Sequence, residues 1–342
     1  MRAADLKLLA CPNTGEGLAL DPPAGGGRVM EATLKTGDGR RCYEVRAGIA
    51  RLLPDDPPET SRMQADHYDR IAGPYLHARA TLQFTADLWE SLDRTLLDAV
   101  GSTDGLAVAE ICCGAAGLIG KSFPLAAHRV GVELSAGMLA CAGDPEDVTL
   151  VCGDATSLPL GTGTFDVVVL HGGVHHVPDR ARLYSEIHRV LRPGGRVAFL
   201  EPLDDFFLWR ILRAVIYRLS PLLNAGVEMP LRRLETMRAL ADAGFSGATA
   251  HPCGYIAFAL FGNTDVMTFM AAFAKLPGAR AISRALIGLD GWLCRVPVVR
   301  WCALQAVFRA FKPEGMAERV SSKSQVGHIN PPPAWREGRP TA

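Results

Sequence analysis

The sequence lacks several features that would assign it to a class of protein directly. Its nine cysteines include no C-x-x-C pair, and their odd number does not suit a disulfide framework. This usage favours reduced thiols and a cytoplasmic protein. The first residues, MRAADLKLLACP, carry an acid and a lysine within their apolar stretch, unlike a signal peptide. The longest apolar run, 255–274, is interrupted by Gly262, Asn263 and Asp265, so it predicts no membrane span.

The chain also lacks a net charge, but its two parts differ. Residues 1–204 contain 19 Lys and Arg against 27 Asp and Glu, whereas residues 205–342 contain 17 against 9. The first part is therefore at −8 and the second at +8. Neither end has the basic stripe interleaved with aromatic residues that is typical of a nucleic-acid site. We expect no nucleic-acid partner.

An alternation of strand-like and helix-like segments dominates the middle of the chain. Apolar strand patterns occur at 105–112, 129–134, 148–152, 165–170 and 196–200, and helical patterns separate them at 118–127, 137–142 and 179–191. Further helices are predicted between 61 and 100. Strands that alternate with helices predict an α/β fold: a doubly wound, Rossmann-like parallel sheet whose ligand lies beyond the carboxyl ends of the strands.

The flanking segments differ from this core. Residues 1–54 read as a small module that is followed by a proline-rich linker. After the core, helical patterns are predicted at 208–219, 231–243 and 265–293, with a terminal strand within 301–311. We therefore divide the chain into a leader (1–54), a core with a substrate cover (61–262), a helical insertion with a terminal strand (263–312), and a disordered tail (313–342).

The segment AEICCGAAGLIG, residues 109–120, resembles a glycine-rich nucleotide-binding turn without its first glycine. Glu110 ends the first core strand, where an amine-bearing ligand could be received. Glu133 ends the second strand, and a carboxylate there can accept hydrogen bonds from both hydroxyls of a ribose. These residues alone leave NAD and other adenosine cofactors as alternatives.

The segments that follow distinguish between these cofactors. An acid after the third strand, Asp154, followed by the backbone of Ala155, suits the edge of an adenine. With the segments LPL at 158–160, FDVVVL at 165–170, HHVPD at 175–179 and LRPGG at 191–195, the sequence resembles the class I S-adenosylmethionine-dependent methyltransferases. The resemblance covers about residues 68–202 and is strongest to methyltransferase type 11, the branch that includes the ubiquinone and menaquinone biosynthesis enzymes.

The resemblance implies S-adenosyl-L-methionine as cofactor and assigns roles to individual residues. Glu110 and the turn would hold the methionine part, Glu133 the ribose, Asp154 and Ala155 the adenine, and His171 would border the methyl group. The implied cofactor-binding residues are Glu110, Cys112, Cys113, Gly114, Ala116, Glu133, Leu134, Asp154, Ala155 and His171. Ala116 occupies a position where the family usually has glycine.

A proton acceptor is needed if the methyl group goes to a hydroxyl or to a weakly acidic carbon. By their placement, His171, His175 and Tyr75 are the candidate catalytic residues. The alternative interpretation of His175 and His176 is that they only cap the site. Cys112 and Cys113 are interpreted as packing residues rather than nucleophiles.

The two ends of the chain yield further expectations. The leader resembles a zinc ribbon from which the ligands have been lost, since only Cys11 remains in place, so we predict no metal. Aromatic residues after position 202 could form an apolar pocket or could complete the core; they are Phe206, Phe207, Trp209, Tyr255, Phe258, Phe261 and Phe269. The segment 206–219 carries three arginines and could contact an anionic membrane surface.

Together these observations favour methyl transfer to O or C of an apolar small molecule, such as a polyketide, an aromatic compound, a quinone or a lipid-like compound. An rRNA methyltransferase and a non-catalytic binding protein of the same fold are the alternatives, and a nicotinamide-dependent oxidoreductase is the weakest. The sequence does not identify the acceptor or the oligomeric state.

Overall fold

The computed structural model describes residues 1–315 apart from 24, 144, 146, 220–227 and 263–269. Among the described residues, the strands are β1 (Leu18–Asp21), β2 (Ala32–Thr36), β3 (Cys42–Arg46), β4 (Ile49–Arg51), β5 (Ala107–Ile111), β6 (His128–Glu133), β7 (Thr149–Cys152), β8 (Phe165–His171), β9 (Leu191–Pro202), β10 (Ser246–Cys253) and β11 (Gln305–Phe311). The α-helices of the same residues are α1 (Glu59–Thr81), α2 (Gln83–Val100), α3 (Ala136–Ala140), α4 (Arg180–Val190), α5 (Phe207–Leu219), α6 (Arg233–Asp242), α7 (Ile256–Phe261), α8 (Met270–Phe273) and α9 (Ala279–Leu293).

The strands of the described chain form one sheet in the order β1-β2-β3-β4-β7-β6-β5-β8-β9-β11-β10. The segment from β4 through β7, β6, β5 and β8 to β9 is parallel, whereas β11 pairs with β9 and β10 in antiparallel fashion. The chain order reverses at β5, which lies between β6 and β8. Ligands of open α/β sheets bind beyond the carboxyl ends of the strands at such a point. The predicted α/β fold class is confirmed.

The central strands are buried on both faces. All five residues of β5 (AVAEI) are buried, and so are Val167, Val168, Val169 and Leu170 of β8. Their continuous apolar sequence follows from this environment, because helices or loops cover both faces of a parallel sheet. A carboxylate in such a strand, Glu110, is costly to bury unless a neighbouring group binds it.

The structure differs from the predicted elements in several places; α7, for example, was not predicted. The predicted helix at 118–127 is wrong: Gly120 N donates to Ala116 O (3.0 Å), but only turns follow, because glycines weaken the segment and Pro124 cannot continue it. The prediction overlooked β10, whose segment SGATAHPC has little apolar alternation. Of the predicted 265–293 helix, part lies outside the described residues, and the rest is divided by Gly278 into α8 and α9.

The leader continues the central sheet. Strand β4 pairs in parallel with β7, and Leu52 N donates to Cys152 O (2.8 Å). Cys11, which was expected to remain from a zinc-ribbon pattern, has its Sγ 3.1 Å from the hydroxyl of Tyr43 and so contacts a phenol. The proposed division of the chain into four domains stays a prediction.

In the part of the chain that the structure describes, no helix combines the length and the apolar character needed to cross a membrane.

Candidate functional site

A cavity of about 850 Å³ lies at the carboxyl ends of the parallel strands, at the point where the strand order reverses. The loops after β5, β6, β7 and β8 form its floor, and residues of α1 and α2 cover it. Nine of the ten cofactor residues that the sequence predicts line this cavity; they are Glu110, Cys112, Cys113, Gly114, Glu133, Leu134, Asp154, Ala155 and His171. The exception is Ala116.

The turn after β5 has an unusual backbone. Cys112 and Ala116 both have φ near +55°, as does Gly114. This left-handed conformation costs a residue with a side chain roughly 1–2 kcal/mol, whereas glycine adopts it readily. The methyl group of Ala116 packs in the core rather than toward the cavity, where Ala115 and Gly117 lie instead. The side chain of Ala116 therefore leaves the ligand space unobstructed.

Both cysteines of this turn have a pKa well above the usual range. Burial is the main cause for each, and nearby carboxylates add to it. A thiol must ionise to act as a nucleophile. Cys113 Sγ also lies close to Gly131 of β6, where an added Cβ would come within 2.9 Å. The two cysteines thus serve as packing residues of the turn.

Glu133 fixes the turn from the neighbouring strand. Its Oε2 accepts a hydrogen bond from Gly114 N (2.9 Å), and its Oε1 accepts one from Ser135 N (2.9 Å). Burial raises the pKa of this carboxyl, and the two backbone donors oppose that shift. Each carboxylate oxygen can accept a second hydrogen bond. Glu133 can therefore hold the turn and a diol at once.

Glu110 is almost completely buried, and its Oε2 accepts a hydrogen bond from Ile119 N (2.7 Å). Desolvation, reinforced by the carboxylates of Asp93 and Glu133, raises its pKa to about 8. At neutral pH this side chain is mainly a neutral acid. A cationic ligand in the cavity would favour its ionised form.

Asp154 has an oxygen without a protein partner. Its Oδ1 accepts from both the backbone N and the hydroxyl of Thr156 (2.7 Å each). Its Oδ2 is buried without a hydrogen-bond partner. Buried polar atoms are rarely left so, which makes this oxygen an acceptor for a ligand N–H donor.

His171 is the last residue of β8 and lines the cavity. Its Nε2 lies 3.2 Å from Asp93 Oδ1 on α2, and its ring packs edge-on against Trp89 with centroids 5.6 Å apart. Tyr75 of α1 lines the same cavity. A histidine beside a carboxylate is the arrangement that orients an imidazole and stabilises its protonated form.

The structure places His175 differently. His175 Nδ1 lies 2.6 Å from Oε2 of the buried Glu201, and this residue is not among those that line the cavity. Glu201 also accepts hydrogen bonds from the backbone N of Gly173 (2.8 Å) and Val174 (2.7 Å). The pair thus holds the loop after β8. His176, not His175, borders the cavity, with Nε2 2.9 Å from the hydroxyl of Tyr68.

Helix α1 closes the cavity through contacts that the sequence did not indicate. Gln64 Nε2 donates to His176 O (3.2 Å), and Asp69 Oδ1 accepts from the hydroxyl of Ser135 (2.5 Å) and from Gly137 N (2.8 Å). Trp89 and Asp93 were also missed. These residues lie on α1 and α2, which precede β5 in the chain, so only a three-dimensional contact links them to the site.

None of the described aromatic residues after position 202 lines this cavity. Trp209, Tyr255, Phe258 and Phe261 are buried in the core, and Phe207 is exposed. Phe206 is partly buried against the same core cluster, and Phe269 lies outside the described residues. Of the two interpretations of these residues, the structure favours completion of the core.

The sheet order, the turn after β5 and the carboxylates define the class as an α/β protein that binds an adenosine-type cofactor. The residues fit S-adenosylmethionine: the unpartnered Asp154 Oδ2 suits an amine of adenine, Glu133 suits a ribose, and Glu110 suits an ammonium group. The contacts of these three carboxylates are explained without a nicotinamide cofactor.

Comparisons with known proteins agree. Residues 109–199 match the family described as "Methyltransferase domain". Relatives include demethylmenaquinone methyltransferases of Lactococcus lactis (29% identical; 39% of this chain, 56% of the relative), Mycolicibacterium vanbaalenii (29%; 59% and 89%) and Corynebacterium urealyticum (31%; 44% and 62%). In the first and third alignments the chain spans less than two thirds of the relative's length.

Among solved structures, the chain is similar to a Thermotoga maritima protein titled SAM-dependent methyltransferase, possible histamine N-methyltransferase (TM-score 0.49; 17% identical; 72% of this chain, 99% of that one). The methyltransferase domain at residues 109–199 and the similarity to demethylmenaquinone methyltransferases support a class I S-adenosylmethionine-dependent methyltransferase, with S-adenosylmethionine as cofactor. The predicted class and cofactor are confirmed.

Proposed function

We propose that this protein transfers the methyl group of S-adenosylmethionine to O or C of an apolar small molecule with an aromatic or quinone-like ring. One observation carries the proposal: a single cavity joins a cofactor-type set of carboxylates to a histidine–carboxylate pair flanked by aromatic rings.

The chain's own residues would hold the cofactor in place. Asp154 Oδ2 would accept a hydrogen bond from the adenine amine, and Glu133 would accept from the ribose hydroxyls. Glu110 in its ionised form would pair with the ammonium group of the methionine part. Each contact satisfies a group that is otherwise buried at a cost in free energy.

The cofactor supplies a methyl group that its sulfonium already activates, so the protein's tasks are alignment and exclusion of water. Helix α1 contributes to that exclusion through Gln64 and Asp69, which join it to the loops on either side of the cavity. His171 would remove the proton from the acceptor hydroxyl or carbon. Asp93 would orient the imidazole and stabilise its cationic form.

Aromatic residues of the cavity support the acceptor class. Trp89, Tyr75 and Tyr68 line the cavity and present aromatic surface, which suits a flat ring. The name of the relatives, demethylmenaquinone methyltransferase, denotes a quinone-type acceptor and supports the same class. A nucleic-acid acceptor would instead require a basic approach to the site, and the carboxylates do not provide one.

Calorimetric titration with S-adenosylmethionine, S-adenosylhomocysteine and NAD tests the cofactor part. We expect both sulfur compounds to bind and NAD not to bind. Asp154→Asn should weaken adenosine binding by about tenfold, since a hydrogen bond contributes roughly 1–2 kcal/mol. Asp104→Asn, an exposed aspartate before β5, is the control and should leave the affinity unchanged. Equal affinities for the two variants would show that the adenine is wrongly placed.

An assay of methyl transfer tests the acceptor class and the catalytic base. The acceptors are 1,4-naphthohydroquinone, catechol and total rRNA, and the reaction is measured by the S-adenosylhomocysteine released. We expect His171→Asn to lower kcat by about 10²–10⁴-fold while cofactor affinity changes less than threefold. His188→Asn, near the start of β9 and remote from the cavity, is the control. Transfer to rRNA alone would overturn the acceptor class, and full activity of His171→Asn would remove this histidine from catalysis.

A further inference from the structure

Helix α5 exposes an apolar face in the described part of the chain. Trp209 and Ile216 point into the core, and Trp209 contacts Phe258 of α7 (ring centroids 6.2 Å apart). On the outer side, six large apolar residues are 43–66% exposed; they are Phe207, Leu208, Ile211, Leu212, Val215 and Leu219. Single exposed apolar residues are common, but a contiguous set of this size indicates an interaction surface.

A second exposed apolar set lies on α9 and the turn that follows it. Ile282, Leu289, Trp292, Val298 and Trp301 are 39–79% exposed. Helix α9 is anchored to α7, because the buried Asp290 accepts hydrogen bonds from the backbone N of Tyr255, Ile256 and Ala257 (2.7, 2.9 and 3.1 Å). Both α5 and α9 therefore pack on the same short helix.

Arg233 joins the two sets. Its Nε donates to Asp205 Oδ2 (3.3 Å), two residues before α5, and its Nη2 donates to Trp301 O (3.1 Å). Its guanidinium carbon lies 4.3 Å from the centroid of the Trp301 ring. The start of α5 and the turn at Trp301 are thus neighbours. We call the eleven exposed residues of these two sets the C-terminal apolar face.

The charges around this face have one predominant sign. Helix α5 contains Arg210, Arg213 and Arg218 and no acid, and residues 270–302 contain five basic residues against one acid, the buried Asp290. Some of these cations are paired within the protein: Arg280 and Arg284 with Asp87, and Arg213 with Asp204. Arg218, Arg295 and Arg300 are exposed beside the apolar residues.

We propose that the C-terminal apolar face binds the surface of an anionic lipid bilayer. Apolar side chains would enter the interface, tryptophans would lie at the headgroup level, and the arginines would contact anionic headgroups. A second copy of this chain, with the same cationic rim, would bring like charges together and is less favoured. The proposal does not depend on the acceptor or on the catalytic residues.

Sedimentation of the full chain with sucrose-loaded vesicles tests this proposal. We expect binding to phosphatidylcholine vesicles that contain 30% phosphatidylglycerol, and at least tenfold weaker binding to phosphatidylcholine alone. Ile211→Glu/Val215→Glu should reduce binding to the anionic vesicles at least tenfold. Arg295→Gln/Arg300→Gln should reduce it about tenfold or more, since each cation near such a surface contributes roughly 1 kcal/mol.

Leu125→Glu/Met30→Glu is the matched control, because both residues are exposed apolar residues outside this face. It should bind vesicles as the unchanged chain does. Light scattering gives the oligomeric state of each variant. Absence of vesicle binding, equal binding to both vesicle types, or a dimer that Ile211→Glu/Val215→Glu converts to a monomer would overturn the proposal.

Discussion

Binding of the cofactor should release a proton from Glu110. Without a ligand, the pKa of this buried carboxyl is about 8, so at pH 7 about 0.9 of the molecules carry its proton. An ammonium group beside the carboxylate stabilises the ionised form, and in the complex the proton is lost. If ionised Glu110 alone binds the cofactor well, affinity should rise about ninefold from pH 6 to pH 7.

Calorimetry in two buffers with different ionisation enthalpies measures this release directly. The observed enthalpy should differ between the buffers by about 0.9 of their difference in ionisation enthalpy at pH 7. Glu110→Gln should bind more weakly, with no dependence on pH between 6 and 7 from this position. Glu133→Gln is the necessary comparison, because burial also raises the pKa of Glu133.

The raised pKa of Glu110 also makes the stability of the folded chain depend on pH. A carboxyl that ionises near pH 8 when folded and near 4.3 when unfolded retains its proton only in the folded chain between these values. Its contribution to stability is therefore present at low pH and is lost as the pH rises through 8. The melting temperature of the unliganded chain should fall relative to Glu110→Gln from pH 5 to 8. If the unchanged chain binds the cofactor at pH 7 without releasing a proton, the reasoning is refuted.

Three further predictions concern the surroundings of the site. Ala116→Gly should change the free energy of unfolding by less than about 1 kcal/mol, because relief of the left-handed backbone offsets the loss of a buried methyl group. Cofactor affinity should change less than about threefold, and markedly tighter binding in calorimetry would contradict this. Glu201→Gln should destabilise the chain by about 3 kcal/mol in denaturant unfolding and should lower kcat, because buried backbone donors of the loop after β8 lose their charged acceptor. An unchanged kcat would show that Glu201 is not needed to position this loop. Asp87 has a pKa of about 2 because Arg280 donates hydrogen bonds to it. Asp87→Asn should therefore lower the melting temperature by roughly 2–4 °C at pH 6, and this difference should vanish toward pH 2. A difference that persists at pH 2 would disprove the ion-pair explanation.

The parallel core could be predicted from the sequence because its signals are local and redundant. Apolar strands end in acids, and glycine-containing turns follow, so Glu110, Glu133 and Asp154 could be assigned to one edge of a sheet. The same logic identified His171. Each of these residues lies at or just after the carboxyl end of a strand, and parallel strands bring their carboxyl ends together without any long-range information.

Residues on the helices that precede β5 were not predictable in this way. Asp93 and Trp89 lie on an ordinary amphipathic helix, and nothing in their spacing distinguishes a residue over the cavity from one on the surface. The different surroundings of His175 and His176 were not predictable for a related reason. The rings of the two residues lie next to each other on the short 3-10 turn at 174–176, with centroids 3.8 Å apart, and His175 contacts the buried Glu201 whereas His176 borders the cavity.

The pairing of β4 with β7 has a consequence for removal of the leader. Without residues 1–53, β7 would become the outer strand of the sheet, with Leu150, Val151 and Cys152 presenting unpaired backbone groups on an apolar edge. Such edges recruit strands from other molecules. Asp5 would also no longer accept the hydrogen bond from the hydroxyl of Thr149 (2.7 Å). A shortened chain should therefore self-associate, which means that the leader protects the sheet edge from aggregation.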